Sequence, residues 1–177
     1  MTHTVWMTGG AVVLCCVATW WDLRTRRIPN GLTVPALAVA LCLHGALGAG
    51  HGLLLSAGGA LAAGALLLPG YLLRFTGAGD VKLLMAVGAF LALPDALLAG
   101  LLALVLGGLL GVLTAVRVGR LGQVLQRSFG LARWMAHRAK GSPLARPATS
   151  GLRVPFGVAI ALATVLVVLV PGLGGPR

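Results

Sequence analysis

Glutamate is absent from this 177-residue chain, and aspartate occurs only at Asp22, Asp80 and Asp95. Charged residues make up 10% of the sequence, against roughly 25% in a soluble domain. So little charge cannot cover a water-exposed surface, and the 58% hydrophobic content points to an all-α polytopic membrane protein, a single integral membrane domain over 1–177. Cysteine is scarce too: Cys15, Cys16 and Cys42 lie in apolar runs without C-x-x-C spacing. That excludes a zinc site and a disulfide framework, and leaves them as buried small hydrophobes. His3, His44, His51 and His137 are scattered, so no metal and no cofactor are expected. G-x-S-x-G and H-E-x-x-H are missing, which removes serine and zinc intramembrane chemistry. The N-terminus has no basic n-region and no small-residue cleavage site before Asp22, and reads as a retained first span.

What is abundant is apolar sequence and positive charge. Six runs have the length and character of membrane spans, at about Val5–Trp21, Leu32–Leu47, Gly52–Leu73, Val81–Leu93, Ala96–Val116 and Val154–Leu173. The fourth is short as drawn; it either starts earlier, within Gly77-Ala78-Gly79, or continues past Pro94. Small-x-x-x-small spacings such as Gly59-Ala63 and Gly107-Gly111 suit close helix packing. The net charge of +11 does not indicate nucleic-acid binding, because the basic residues sit in short segments between spans rather than on one face of a folded domain. Thirteen of the fourteen Lys and Arg share one side, with Arg177 opposite. The positive-inside pattern makes that side cytoplasmic and both termini external. Within the basic loop, about 117–153, Val118, Leu121, Leu125 and Phe129 form a partial apolar face suited to the lipid surface. Gly141–Ser150 reads as a linker.

This topology puts Asp22, ending the first span, and Asp80, starting the fourth, at one cytoplasmic depth. Asp95 falls at the opposite face, where Pro94 and Asp95 suit a helix start. Two carboxylates at one depth can share a proton: one acts as general base on water while the other, protonated, polarises a carbonyl. Gly77 and Gly79 leave backbone open to an extended peptide. The competing reading pairs Asp22 with Arg26 and Asp80 with Lys82 as structural ion pairs. Composition and spacing alone leave the two equally open.

Three ordered stretches, "DLRTRRIPNGLT" from Asp22, "GAGDVKLL" from Gly77 and "RVPFGVAIA" from Arg153, resemble the type IV prepilin peptidase family. The short members of tight-adherence (Flp-type) pilus systems are the nearest likeness. The resemblance implies a bundle of about six transmembrane helices of the G-x-G-D intramembrane aspartic protease type, placed in the bacterial inner membrane. It implies that Asp22 and Asp80 are the catalytic pair, and that Arg27, Ile28, Pro29, Asn30, Lys82, Pro155 and Gly157 match the family's supporting positions. Pro29 turns the chain after the first span and Asn30 is placed to cap the second helix. Lys82 is expected to favour one ionised carboxylate or hold an acidic substrate group. Pro155 and Gly157 are expected to loosen the start of the last helix. The implied substrate is a prepilin or pseudopilin, a transmembrane helix with a basic leader. Methyl transfer, linked in long members to paired C-x-x-C motifs, is not expected. Presenilin-like proteases carry Pro-Ala-Leu after the second aspartate, whereas Pro35-Ala36-Leu37 precedes it here. A proton-coupled transporter and a non-catalytic pilus scaffold are the alternative functions.

Overall fold

The computed structural model describes residues 2–25, 27–72, 76–123, 125–126, 129–130, 133 and 156–170. Among the described residues all regular structure is helical: α1 (Thr2–Thr25), α2 (Asn30–Leu72), α3 (Ala78–Leu91), α4 (Asp95–Arg117) and α5 (Phe156–Leu169). Trp6–Thr25, Asn30–Leu72 and Asp95–Arg117 are each long and apolar enough to cross a membrane, and α5 is a shorter apolar helix. Large side chains such as Leu54, Leu61 and Val105 lie exposed on the helix surfaces. In water they would be a liability, but facing lipid tails they cost nothing. The chain is an all-α polytopic membrane protein.

α2 is two helices in one run. Ala49, at φ 47° and ψ −143°, breaks the helical geometry between Gly48 and Gly50. The chain reverses there so tightly that a Cβ on Gly52 would collide with the His44 carbonyl oxygen. The break expected between the spans Leu32–Leu47 and Gly52–Leu73 is therefore a single non-helical residue. A positive φ is costly for alanine, and the flanking glycines take up the crowding that a wider loop would otherwise relieve.

The hairpin clasps α3. Its first half runs parallel to α3, from the Asn30–Lys82 hydrogen bond at one end to His44 Nε2, 3.1 Å from the Phe90 carbonyl oxygen, at the other. Its second half runs antiparallel. Ser56 Oγ donates to Ala89 O at 2.8 Å, and Leu93 N–H to Leu55 O at 3.3 Å. In between, Gly59 and Gly88 meet backbone to backbone. A Cβ on Gly59 would strike the Gly88 carbonyl oxygen, and one on Gly88 would lie 2.7 Å from the Ala63 Cβ. The Gly59-Ala63 spacing thus does what small-x-x-x-small pairs do, bringing two helix axes close enough for main-chain packing. α5 packs antiparallel to α1, with Cys15 Sγ 3.5 Å from Thr164 Oγ1 at mid-helix.

The fourth span resolves by starting early: α3 begins at Ala78, so Asp80 lies in its first turn. Of the cysteines only Cys15 is buried; Cys16 and Cys42 are exposed on helix sides, because each sits on a face its helix does not pack.

The chain divides into two compact units, residues 1–107 with 155–177, and 108–154. In the second, α4 closes at Gly119, φ +67°, with Gly119 N–H bonded to Val116 O at 3.0 Å and Arg120 N–H to Ala115 O at 2.9 Å. This is the left-handed stop that glycine permits. Val118, Leu125 and Phe129 are exposed. The expected linker Gly141–Ser150 lies outside the described residues.

Placing a side chain in the Gly59–Gly88 crossing forces the helices apart, at a cost of roughly 1–3 kcal/mol or more. Gly88→Val should therefore lower the thermal unfolding midpoint in detergent by several degrees. Gly9→Val, on an open side of α1 with nothing within 4 Å, should leave it within a degree or two of wild type.

Candidate active site

Four helix ends meet at one end of the first unit. α1 arrives with Asp22 in its last turn and then stops. Thr25 Oγ1, 2.9 Å from Trp21 O and 3.0 Å from Arg27 O, ties that turn to the loop. Pro29 follows, and its carbonyl receives the Leu32 and Thr33 N–H groups at 3.1 and 3.4 Å. It is therefore the Pro29 carbonyl that opens α2. Asn30 does not spend its side chain on capping: its Oδ1 accepts from Lys82 Nζ at 2.9 Å, so it joins α2 to α3.

Asp22 is 9% exposed and lies against the first turn of α5. A Cβ on Gly157 would sit 3.1 Å from Asp22 Oδ2, 3.4 Å from its Cβ and 3.5 Å from its Cγ. One turn back along α1, Thr19 Oγ1 donates to the Gly157 carbonyl at 3.4 Å. Gly157 therefore forms the wall against which the Asp22 carboxylate rests. This is a closer part than the helix-loosening role expected for it. Pro155 lies outside the described residues.

Asp80 stands at the third position of α3. Gly77, at φ −80° and ψ 154°, is the N-cap, and its N–H donates to Asp80 Oδ2 at 2.9 Å. This is the acidic half of a capping box, and the negative charge suits the helix N-terminus. Lys82 is directed elsewhere: its ammonium is bonded to Asn30 rather than to Asp80. Gly79 has its bare face covered by this chain's own Ile28, whose Cβ, O and N would lie 3.1, 3.4 and 3.5 Å from an added Cβ. The expectation that both glycines open the backbone to a peptide is thus corrected for Gly79, whose missing side chain lets the loop after α1 dock on α3. Gly77 is exposed.

Asp22 and Asp80 thus reach this junction from two different helices, α1 and α3. Arg27 is exposed beside it, in the loop between α1 and α2. Asp95 begins α4, beyond the far end of α3; the 14 residues of α3 set it about 20 Å away along that helix. Sequence reasoning missed Thr19, Ile28 as a docking residue, and the exposed pair Trp20–Trp21, whose rings pack edge to face at 5.6 Å. Arg24 lies over the Trp20 ring at 4.3 Å. The signal was legible as two tryptophans directly before a buried aspartate, a pattern that marks the membrane interface. Among the described residues no group of histidine, cysteine and carboxylate side chains is arranged to hold a metal ion.

This junction can be set beside known proteins. Residues 10–112, more than half the chain, match the family model described as the type IV leader peptidase family. The chain belongs to the type IV leader peptidase family. The matched stretch contains both Asp22 and Asp80 and the whole α2–α3 clasp, while Gly157 lies beyond it. No curated protein and no solved structure matches the chain.

Family membership makes Gly157 testable against the peptidase activity it implies. Gly157→Ala should lower leader cleavage about tenfold by displacing the Asp22 carboxylate a few tenths of an ångström. Gly157→Val should abolish it. Both variants should still insert in the membrane, as read by fractionation.

Proposed function

We propose that this protein is an aspartic endopeptidase of the membrane that removes the basic leader from Flp-like type IV prepilins or pseudopilins. The carrying observation is the convergence of Asp22, in the last turn of α1, and Asp80, in the first turn of α3, at the end of the apolar bundle where Ile28 docks on Gly79 and Gly157 on Asp22. The supporting residues Asn30, Lys82, Gly79 and Gly157 are all engaged in holding that junction together.

In this reading water sits between the two carboxylates. The ionised one takes a proton from it as the oxygen attacks the scissile carbonyl, while the protonated one donates to the carbonyl oxygen. The tetrahedral intermediate collapses as a carboxyl proton passes to the departing amine, and the pair regains its single shared proton. The dyad titrates jointly. The substrate enters as a transmembrane helix and unwinds at its N-terminal end, since a helical peptide bond has its carbonyl occupied. Arg24, Arg27 and Lys82, at the helix ends and loop of this junction, support a cytoplasmic site in the inner membrane by the positive-inside rule.

One observation favours a non-catalytic pilus scaffold instead. The Asp80–Gly77 bond is a complete structural use for Asp80. The readings separate in a co-expression assay that follows leader removal from a small pilin-like substrate by gel shift. Asp22→Asn and Asp80→Asn should each lower cleavage by about a hundredfold or more, with Asp95→Asn cleaving normally. Asparagine retains an oxygen for the Gly77 N–H, so Asp80→Asn should unfold within a few degrees of wild type. Processing that survives both changes would leave the scaffold reading standing.

A further inference from the structure

Thr33 carries a buried hydroxyl that finds no partner among the described residues. The residue is 2% exposed. A threonine inside a helix ordinarily returns its hydroxyl to the carbonyl four residues back. Thr25, Thr114 and Thr164 all do so here, at 2.9, 2.7 and 2.8 Å. For Thr33 that acceptor is the Pro29 carbonyl, which takes the Leu32 and Thr33 N–H groups and not the hydroxyl. Burying a hydroxyl without a partner is costly, and a costly local arrangement beside a candidate active site points to a use outside the resting protein.

The position of Thr33 says what that use is. Residues three apart share a helix face, and Asn30 on this face bonds Lys82. Further along, His44 on the same stripe reaches the Phe90 carbonyl. Thr33 therefore lies on the seam with α3, roughly one turn deeper than Asn30. The first turn of α3 carries Asp80, and the residue before it, Gly79, rests on Ile28. Thr76 Oγ1 is the other hydroxyl in this state; it precedes α3 and faces Gly70, in the second half of the hairpin, whereas Thr33 lies in the first half with Asn30.

An unwound substrate segment brings N–H and C=O groups that no longer pair with each other, and apolar surroundings give them no other partner. We propose that Thr33 is a substrate-binding residue, whose hydroxyl hydrogen-bonds a main-chain group of the unwound segment beside Asp80. This rests on the peptidase reading above and adds to it a residue that recognises peptide backbone rather than side chains.

The test compares Thr33→Val, which keeps the shape and removes the hydroxyl, with Thr33→Ser, which keeps the hydroxyl. Both are assayed beside wild type and Asp80→Asn on a leader-bearing pilin-like substrate, with thermal unfolding of each free protein in detergent. Thr33→Val is expected to lose roughly 10- to 100-fold in kcat/KM while its unfolding midpoint holds or rises. Thr33→Ser is expected to stay within about threefold of wild type. Cleavage by Thr33→Val at the wild-type rate overturns the proposal, as does an equal loss in both variants or a fall in activity that tracks a lowered unfolding midpoint. If wild type itself does not cleave, or Asp80→Asn cleaves as well as wild type, the peptidase reading fails and this inference with it. Failure of Thr33 alone, with the aspartate dependence intact, leaves that reading untouched.

Discussion

Two carboxylates close together in an apolar bundle repel, and neither is easily charged away from water. Much of the packing at that end of the molecule can be understood as holding them there. Asp22 rests on the bare backbone of Gly157, and Thr19 binds the carbonyl of the same glycine. Asp80 is tied to the Gly77 N–H. The helix that carries Asp80 is set in place twice, by Ile28 on Gly79 near its start and by Gly59 on Gly88 near its end. Glycine recurs at Gly59, Gly79, Gly88 and Gly157 because each contact brings a neighbour against bare backbone, and a side chain at any of them would push that neighbour away.

The membrane supplies the other half of the constraint. α3 has 14 residues, about 21 Å at helical rise, short of the roughly 30 Å hydrocarbon thickness. Trp20 and Trp21, with Arg24 over Trp20, mark the interface at the end of α1 one residue from Asp22. The proposed reaction needs the acids within reach of water from one side while the substrate helix remains in lipid.

Much of this was legible in the sequence, because hydropathy, rare acids and basic loops are properties of single residues. The apolar, all-helical character of the chain follows from those patterns, whereas they leave the fourth span open between two alternatives, which the structure decides in favour of a start at Ala78. What escaped depended on contacts between distant residues. The reversal at Ala49 requires a backbone conformation alanine disfavours, so no loop of polar residues announces it. The roles of Asn30 and Gly79 are set by their partners, Lys82 and Ile28, and local rules pointed to capping and to substrate access instead. Cys16 and Cys42 read as buried because apolar runs conceal which face of a helix meets lipid. Thr33 sat in plain view within "IPNGLT", but only its burial without a partner distinguishes it from an ordinary helical threonine.

The proposed chemistry needs Asp22 and Asp80 to share one site in the resting protein. Cysteines placed at both positions, in a background with Cys15, Cys16 and Cys42 replaced, can be challenged with a short bifunctional thiol reagent in native membranes. Cleavage of the α1–α2 or α2–α3 connection then reports whether the two were joined. The pair at 22 and 80 is predicted to link efficiently, and a pair at 22 and 95 to remain unlinked. Equal failure of both pairs, with each single cysteine still accessible to a monofunctional reagent, would contradict the shared site.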